Sequence, residues 1–127
     1  RDPDDELFSW VLPYWRLLEK IDLDDVRIYN SPAENKICVD SSNDEFQSLV
    51  YKEKDGSYLV ITANFGPDKS ESVLSLDRRH LGLSGEYNLY RVSPDDGQVS
   101  KAGTTRGRIE TSPLGQWDFE GYLLRKD

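Results

Sequence analysis

The segment Glu45–Gly66, EFQSLVYKEKDGSYLVITANFG, constrains the fold more than any other part of the chain. Asp55-Gly56 stands between two apolar runs, and the positive φ angles of a two-residue hairpin turn are open only to Gly and a few small polar residues. The stretch therefore predicts an antiparallel hairpin closed by a two-residue turn. On its second run Leu59, Ile61, Ala63 and Phe65 share one face, while Tyr58, Val60 and Thr62 share the other. Apolar weight on both faces places this strand in the interior of a sheet, covered from two sides.

The same pattern continues on both sides of the hairpin. Strands are expected at Val26 to Asn30, Lys36 to Val39, Phe46 to Glu53, Tyr58 to Asn64, Ser72 to Leu76, Tyr87 to Val92, Gln98 to Ala102, Arg108 to Thr111 and Phe119 to Arg125. They recur about every ten residues and are separated by turn formers, as in an all-β sandwich or barrel. Those punctuating residues are Pro32, Gly66-Pro67, Gly82 to Gly85, Pro94-Asp95-Asp96-Gly97 and Pro113 to Gly115. The expected fold is mainly β: an antiparallel β-sandwich of about eight strands over residues 26–127, preceded by a helical lead-in over residues 1–25. No internal repeat interrupts it.

The lead-in has its own logic. Asp2 can cap a helix, Pro3 suits the first helical position, and Asp4, Asp5 and Glu6 fall in the electropositive first turn. Leu7, Trp10, Val11, Tyr14, Leu17, Leu18 and Ile21 recur at helical spacing and form an apolar stripe. Pro13 removes one backbone donor, so two helical pieces meeting near Leu12 are expected. The chain has no Met and opens on RDPDDE, which reads as a mature product or a piece of a longer polypeptide.

Composition excludes several classes of function. Asp and Glu number 24 against 16 Lys and Arg, a net charge of −8, whereas phosphate binding needs a basic face; nucleic acid is not an expected partner. Arg78-Arg79-His80 and Arg106-Gly107-Arg108 are the nearest basic stretches, and both read as solvated turn charges. No apolar run approaches the roughly 18 residues of a membrane helix, so no membrane partner is expected either. Cys38 is the only cysteine, which rules out an internal disulfide, and its place in a strand fits a small buried thiol.

Catalytic constellations are thin. One His and one Cys cannot build a four-ligand N/S zinc site. A Ser-His-Asp triad would have to use His80, which follows two arginines in an expected loop, and no Gly-x-Ser-x-Gly elbow accompanies it. Cys38 and His80 make a dyad by census alone. With 24 acids, chance carboxylate pairs are common and none stands out as a glycosidase pair. Asp22, Asp24 and Asp25, or Asp95 and Asp96, lack the alternating ligands and distal Glu of a calcium loop; helix-end and turn chemistry account for them. No catalytic residue, metal ligand or cofactor is assigned.

The aromatics are weighed separately. Flat aromatic faces stack on the C–H faces of sugars, and Trp117, beside the Gly115 turn, and Tyr90, near a strand end, are the candidates for such contact. Packing is the competing explanation for every one of the aromatics. Trp10, Tyr14 and Trp15 lie on the helical stripe, and Tyr58, Tyr87 and Tyr122 occupy strand positions that normally fill a core.

LVYKEKDGSYLVITANFG, SVLSLDRRHLGLSGEYNLYRV and LGQWDFEGYLLRK together resemble the C-terminal antiparallel β-sandwich domain of glycoside hydrolases built on a (β/α)8 barrel. The resemblance lies in a strand pair ending in an ANFG turn, an apolar strand, a Y-x-L-Y-x-V strand and a closing GYLLR strand. PYWRLLEKIDL is similar to the helix and linker with which such barrels pass into that domain, so the likeness spans residues 13–126. It implies a noncatalytic domain whose partner is a catalytic domain of the same polypeptide, in an extracellular or periplasmic setting. The catalytic carboxylates of that family belong to the barrel, so no activity is carried over to any residue here. Three classes follow: an accessory domain packing against a catalytic barrel, a carbohydrate-binding module that stacks sugars on exposed aromatics, and a freestanding enzyme or signalling domain.

Overall fold

The computed structural model describes residues 38–126 in full and the backbone of residues 27–29. The expected helical lead-in, with its apolar stripe and Asp22, Asp24 and Asp25, lies outside the described residues, as does the Lys36-Ile37 half of one expected strand. Within them the chain forms β1 (Arg27–Tyr29), β2 (Val39–Ser41), β3 (Phe46–Lys52), β4 (Tyr58–Asn64), β5 (Val73–Leu76), a one-turn helix α1 (Arg78–Leu81), β6 (Tyr87–Val92), β7 (Val99–Thr105), β8 (Arg108–Glu110) and β9 (Phe119–Arg125). Two antiparallel sheets result: a six-stranded one in the order β1-β3-β4-β9-β6-β7 and a three-stranded one in the order β2-β5-β8. The fold is an antiparallel β-sandwich, as the spacing of the apolar runs predicts.

β4 and β9 are central strands, flanked on both sides. Their alternation divides them between two apolar clusters. Tyr58 and Val60 of β4 and Tyr122 and Leu124 of β9 face the small sheet, where they meet Cys38, Val39, Leu74, Leu76, Leu81 and Ile109. Leu59, Ile61 and Leu123 point the other way, into a second cluster with Tyr51 and Val92. Both Leu123 and Leu124 are therefore buried, one on each face.

The hairpin between β3 and β4 is registered Lys52 against Tyr58. Its turn differs from the expected two-residue form. The Glu53 N–H donates to the Ser57 carbonyl at 2.8 Å and the Gly56 N–H to the Glu53 carbonyl at 3.1 Å, leaving a loop of Lys54, Asp55 and Gly56. Gly56 carries the left-handed backbone, φ 91°, at the last position of a three-residue hairpin loop, where a Gly is favoured. Asp55 Oδ1 accepts the Ser57 N–H at 2.8 Å, and that bond holds the Asp55 carboxyl below its usual range.

The segment carrying His80, expected as a loop, forms α1. Asp77 caps it by accepting the His80 N–H at 3.0 Å, and Gly82, φ 77°, ends it. The turn exists to bury Leu81, whose carbonyl accepts the Tyr58 hydroxyl at 2.5 Å and Lys52 Nζ at 3.3 Å. Tyr58 in turn packs edge-on against Tyr87, with ring centroids 5.9 Å apart.

Candidate functional site

At the end of the large sheet where β4 stops and β9 starts, a buried polar network lies beside an exposed aromatic pair. Asn64 organises that end. It is fully buried, and its Nδ2 donates to the Asp68 carbonyl at 2.9 Å and the Leu114 carbonyl at 2.8 Å, while its Oδ1 accepts the Gly66 N–H at 2.8 Å. Its main chain bonds as well: Asn64 N–H to the Asp118 carbonyl at 3.0 Å, and the Trp117 N–H to the Asn64 carbonyl at 2.7 Å. One side chain thus ties the 65–70 loop to the 112–118 loop.

Those loops display the aromatics. Trp117 sits at φ 68°, a left-handed conformation that non-Gly residues seldom adopt. Its ring meets Phe65 edge-on at a centroid distance of 5.5 Å, with Trp117 46% and Phe65 44% exposed. Tyr90 lies elsewhere. It belongs to β6 opposite Leu123 and packs, partly buried, against the second apolar cluster. The two sugar-stacking candidates therefore differ in setting: Trp117 stands in a surface loop beside Phe65, and Tyr90 lies on a sheet face.

Behind this end lies a buried carboxylate, Glu120 on β9. Glu120 Oε1 accepts the Ser112 hydroxyl at 2.9 Å, and Oε2 accepts the Ser112 N–H at 3.2 Å. The Tyr122 hydroxyl also donates to Oε2. Arg91 Nε lies 3.0 Å from Oε1, near enough for an ion pair but poorly aligned for an N–H···O bond, and its guanidinium carbon sits 5.9 Å from the centre of the Tyr122 ring. Burial, reinforced by the bond to Glu120, pushes the Tyr122 phenol far above its usual range. With its oxygens engaged by Ser112, Tyr122 and Arg91, Glu120 ties β9 to the Ser112 loop; this arrangement does not present a carboxylate to a ligand.

The remaining sequence candidates have structural surroundings. Cys38 is buried in the first cluster. Asp96 Oδ1 accepts the Gln98 N–H at 2.9 Å within the β6–β7 turn, which is the turn chemistry that its sequence suggested. The two basic stretches meet: Arg78 Nη1 donates to the carbonyls of Arg106 and Gly85. Among the described residues, no group of three or more His, Cys, Asp or Glu side chains could hold a metal ion.

Sequence reasoning did not find Asn64 or Glu120. Asn64 lies inside the ANFG motif, but nothing in that motif names its partners. Glu120 has the parity of Tyr122 and Leu124, which places a charged residue on the core-facing side of β9.

No protein-family model matches the chain, and no curated protein matches it. Two crystal structures of a GH27 β-L-arabinopyranosidase from Geobacillus stearothermophilus are similar in fold. A variant of that enzyme in complex with arabinose superposes with a TM-score of 0.51 at 14% identity, over 67% of this chain and 18% of that one. The wild-type enzyme gives a TM-score of 0.50 at 14% identity, over 65% and 18%. This chain therefore spans less than a fifth of the glycoside hydrolase chain that it resembles.

Proposed function

We propose that the chain is a noncatalytic accessory β-sandwich of a carbohydrate-active enzyme, packing against and stabilising a catalytic barrel. The observation that carries this reading is the likeness of most of the chain to a small fraction of a glycoside hydrolase chain. The ANFG, Y-x-L-Y-x-V and GYLLR segments support it, and so does the structural engagement of Glu120, the buried acid of the described residues. The test is to express the parent polypeptide with and without this chain and follow thermal inactivation on aryl glycosides. Deletion should lower the inactivation temperature while kcat/KM of the surviving enzyme changes little, and the isolated chain should show no turnover. Turnover by the isolated chain that a single Asp or Glu substitution abolishes would refute the reading.

A second reading, a carbohydrate-binding module, draws on the exposed Trp117–Phe65 pair. A sugar-array titration separates the two: saturable binding lost in Trp117→Ala would favour the module.

A further inference from the structure

Lys52, Arg78, Arg79, Arg106 and Lys126 are scattered along the sequence, and the fold gathers them at one end of the sandwich. Lys52 closes β3 where Tyr58 opens β4. Lys126 follows Arg125, the last residue of β9, which pairs with Asn88 near the start of β6, and Arg106 follows the end of β7. The Leu76 N–H donates to the Gly107 carbonyl at 2.8 Å, which brings the end of β5, and with it α1, to the same place. The loop that leaves α1 is the hub. Lys52 Nζ donates to the Leu81 carbonyl at 3.3 Å, Lys126 Nζ to the Ser84 carbonyl, and Arg78 Nη1 to the Arg106 carbonyl and, at 3.2 Å, to that of Gly85. Residues 81–85 cover at most about 18 Å even when fully extended, so three cationic heads share one short loop. The side chains of Arg79 and Arg106 are exposed beside them.

Carbonyl dipoles hold these heads in place without cancelling their charge, and no ion pair among the described residues takes any of the five. Of the acids on the same segments, Asp77 is engaged as the cap of α1 and Asp55 in the hairpin loop; Glu53 and Glu86 complete them. Lys52 Nζ lies 5.5 Å from the centre of the Tyr58 ring and Lys126 Nζ 4.5 Å from that of Tyr87, so both ammonium groups are positioned before a ligand arrives. The loop leaves room for them, since a Cβ at Gly82 or Gly85 would stand 3.0 Å from Lys52 Nζ or Lys126 Nζ. Like charges held together repel, and each head keeps donors to give.

The geometry points to an anion-binding face at this end, whose ligand is a short carbohydrate bearing two or more carboxylate or sulfate groups. The anion follows from the cations; the sugar rests on the carbohydrate-active reading above. The extent of the face suits a few charged groups, and the net charge of −8 repels an extended polyanion. Tyr58 and Tyr87 are buried and offer no face on which a nucleic-acid base could stack. An acidic peptide carries its charges on side chains that lose rotamer freedom on binding, whereas groups borne on a sugar ring are already oriented.

Isothermal titration of the full chain tests it. Trigalacturonate and a carrageenan tetrasaccharide separate carboxylate from sulfate, cellotriose controls for the sugar, and tetraglutamate controls for the charge. At least one acidic sugar should bind saturably, about tenfold or more weaker at about 300 mM than at about 20 mM NaCl; cellotriose should not bind, and tetraglutamate should bind more weakly. Arg79→Glu combined with Arg106→Glu should weaken the acidic sugar by about tenfold or more. The exchange at Arg106 keeps the main-chain carbonyl that Arg78 uses. Lys69→Glu combined with Lys101→Glu makes the same change in net charge outside this face and should leave binding within about twofold. Failure of both acidic sugars to saturate, equal binding of cellotriose or tetraglutamate, or equal losses in the two double variants would overturn the inference. The accessory-domain reading is judged separately, by the thermal inactivation of the parent enzyme, and stands or falls independently of these titrations.

Discussion

Asn64→Asp tests whether one buried amide holds the loop end of the sandwich together. The substitution keeps volume and leaves Oδ1 to accept the Gly66 N–H, but it turns the donor toward Asp68 and Leu114 into an acceptor facing two carbonyl oxygens. Two hydrogen bonds are lost, at about 1 kcal/mol each, and acceptors buried without donors add about 1 to 3 kcal/mol more. The sum is about 3 to 5 kcal/mol, a large part of the roughly 5 to 15 kcal/mol available to such a domain. Urea unfolding followed by circular dichroism should show a midpoint lowered by about 1.5 to 2.5 M at an unchanged slope of about 2 kcal/mol/M. The sign of the pH dependence follows from the same geometry. In the folded variant the new carboxyl sits against carbonyl oxygens and holds its proton more tightly than in the unfolded chain, so the native state binds more protons and the deficit grows as pH rises. Relative to wild type, the variant should recover stability from pH 7 to pH 5. A midpoint within about 0.3 M of wild type, or a deficit that does not change with pH, would refute the role given to Asn64.

What the sequence discloses and what it hides divide by range. The bounds of β4, β6 and β9 follow from apolar alternation, because each strand's neighbours impose a two-residue period that is visible without knowing which strands they are. The two-sided burial of Leu59 and Val60 is legible for the same reason. The hairpin loop is one residue longer than expected: Asp55-Gly56 signals a positive φ at Gly56 equally well in a two- or three-residue loop, and the choice depends on the Glu53–Ser57 pairing across the strands. Helix α1 has a capping Asp77 and a closing Gly82, but four residues give no periodicity to read. The Asn64 and Glu120 networks were invisible. Asn64 is satisfied by a carbonyl 50 positions away, and a polar residue whose partners come from a distant loop looks in one dimension like any exposed turn residue. Trp117 and Tyr90 could be chosen as aromatics near strand ends, yet only the three-dimensional fold separates a surface loop from a sheet face.

Three further outcomes are expected. Gly56→Val should cost about 1 to 2 kcal/mol through the φ of 91° alone, since no atom lies within 4 Å of a Cβ built there; an unchanged urea midpoint would contradict the loop geometry. Leu124→Ala and Leu123→Ala empty opposite faces of β9 and should each lose about 2 to 5 kcal/mol, with removal of residues 119–127 abolishing the cooperative melt; a truncated chain melting near the intact midpoint would mean that β9 is not a central strand. The third concerns alkali. Burial and the Glu120 bond raise the folded Tyr122 phenol above its ordinary range, so its stabilising contribution is complete below the unfolded value of about 10 and is lost as pH rises beyond it, where the unfolded chain releases a proton that the folded one retains. Absorbance at about 295 nm should show this tyrosine ionising only on unfolding, and Tyr122→Phe should remove both that delayed fraction and part of the stability loss above about pH 10. Tyr122→Phe also leaves Glu120 short of one donor, so its stability at pH 7 should fall by about 1 to 3 kcal/mol. The pH slope and the neutral-pH deficit thus report the phenol and its carboxylate partner separately. A variant that titrates and unfolds in alkali like wild type would show that the Tyr122 hydroxyl does not donate to Glu120 in the folded protein.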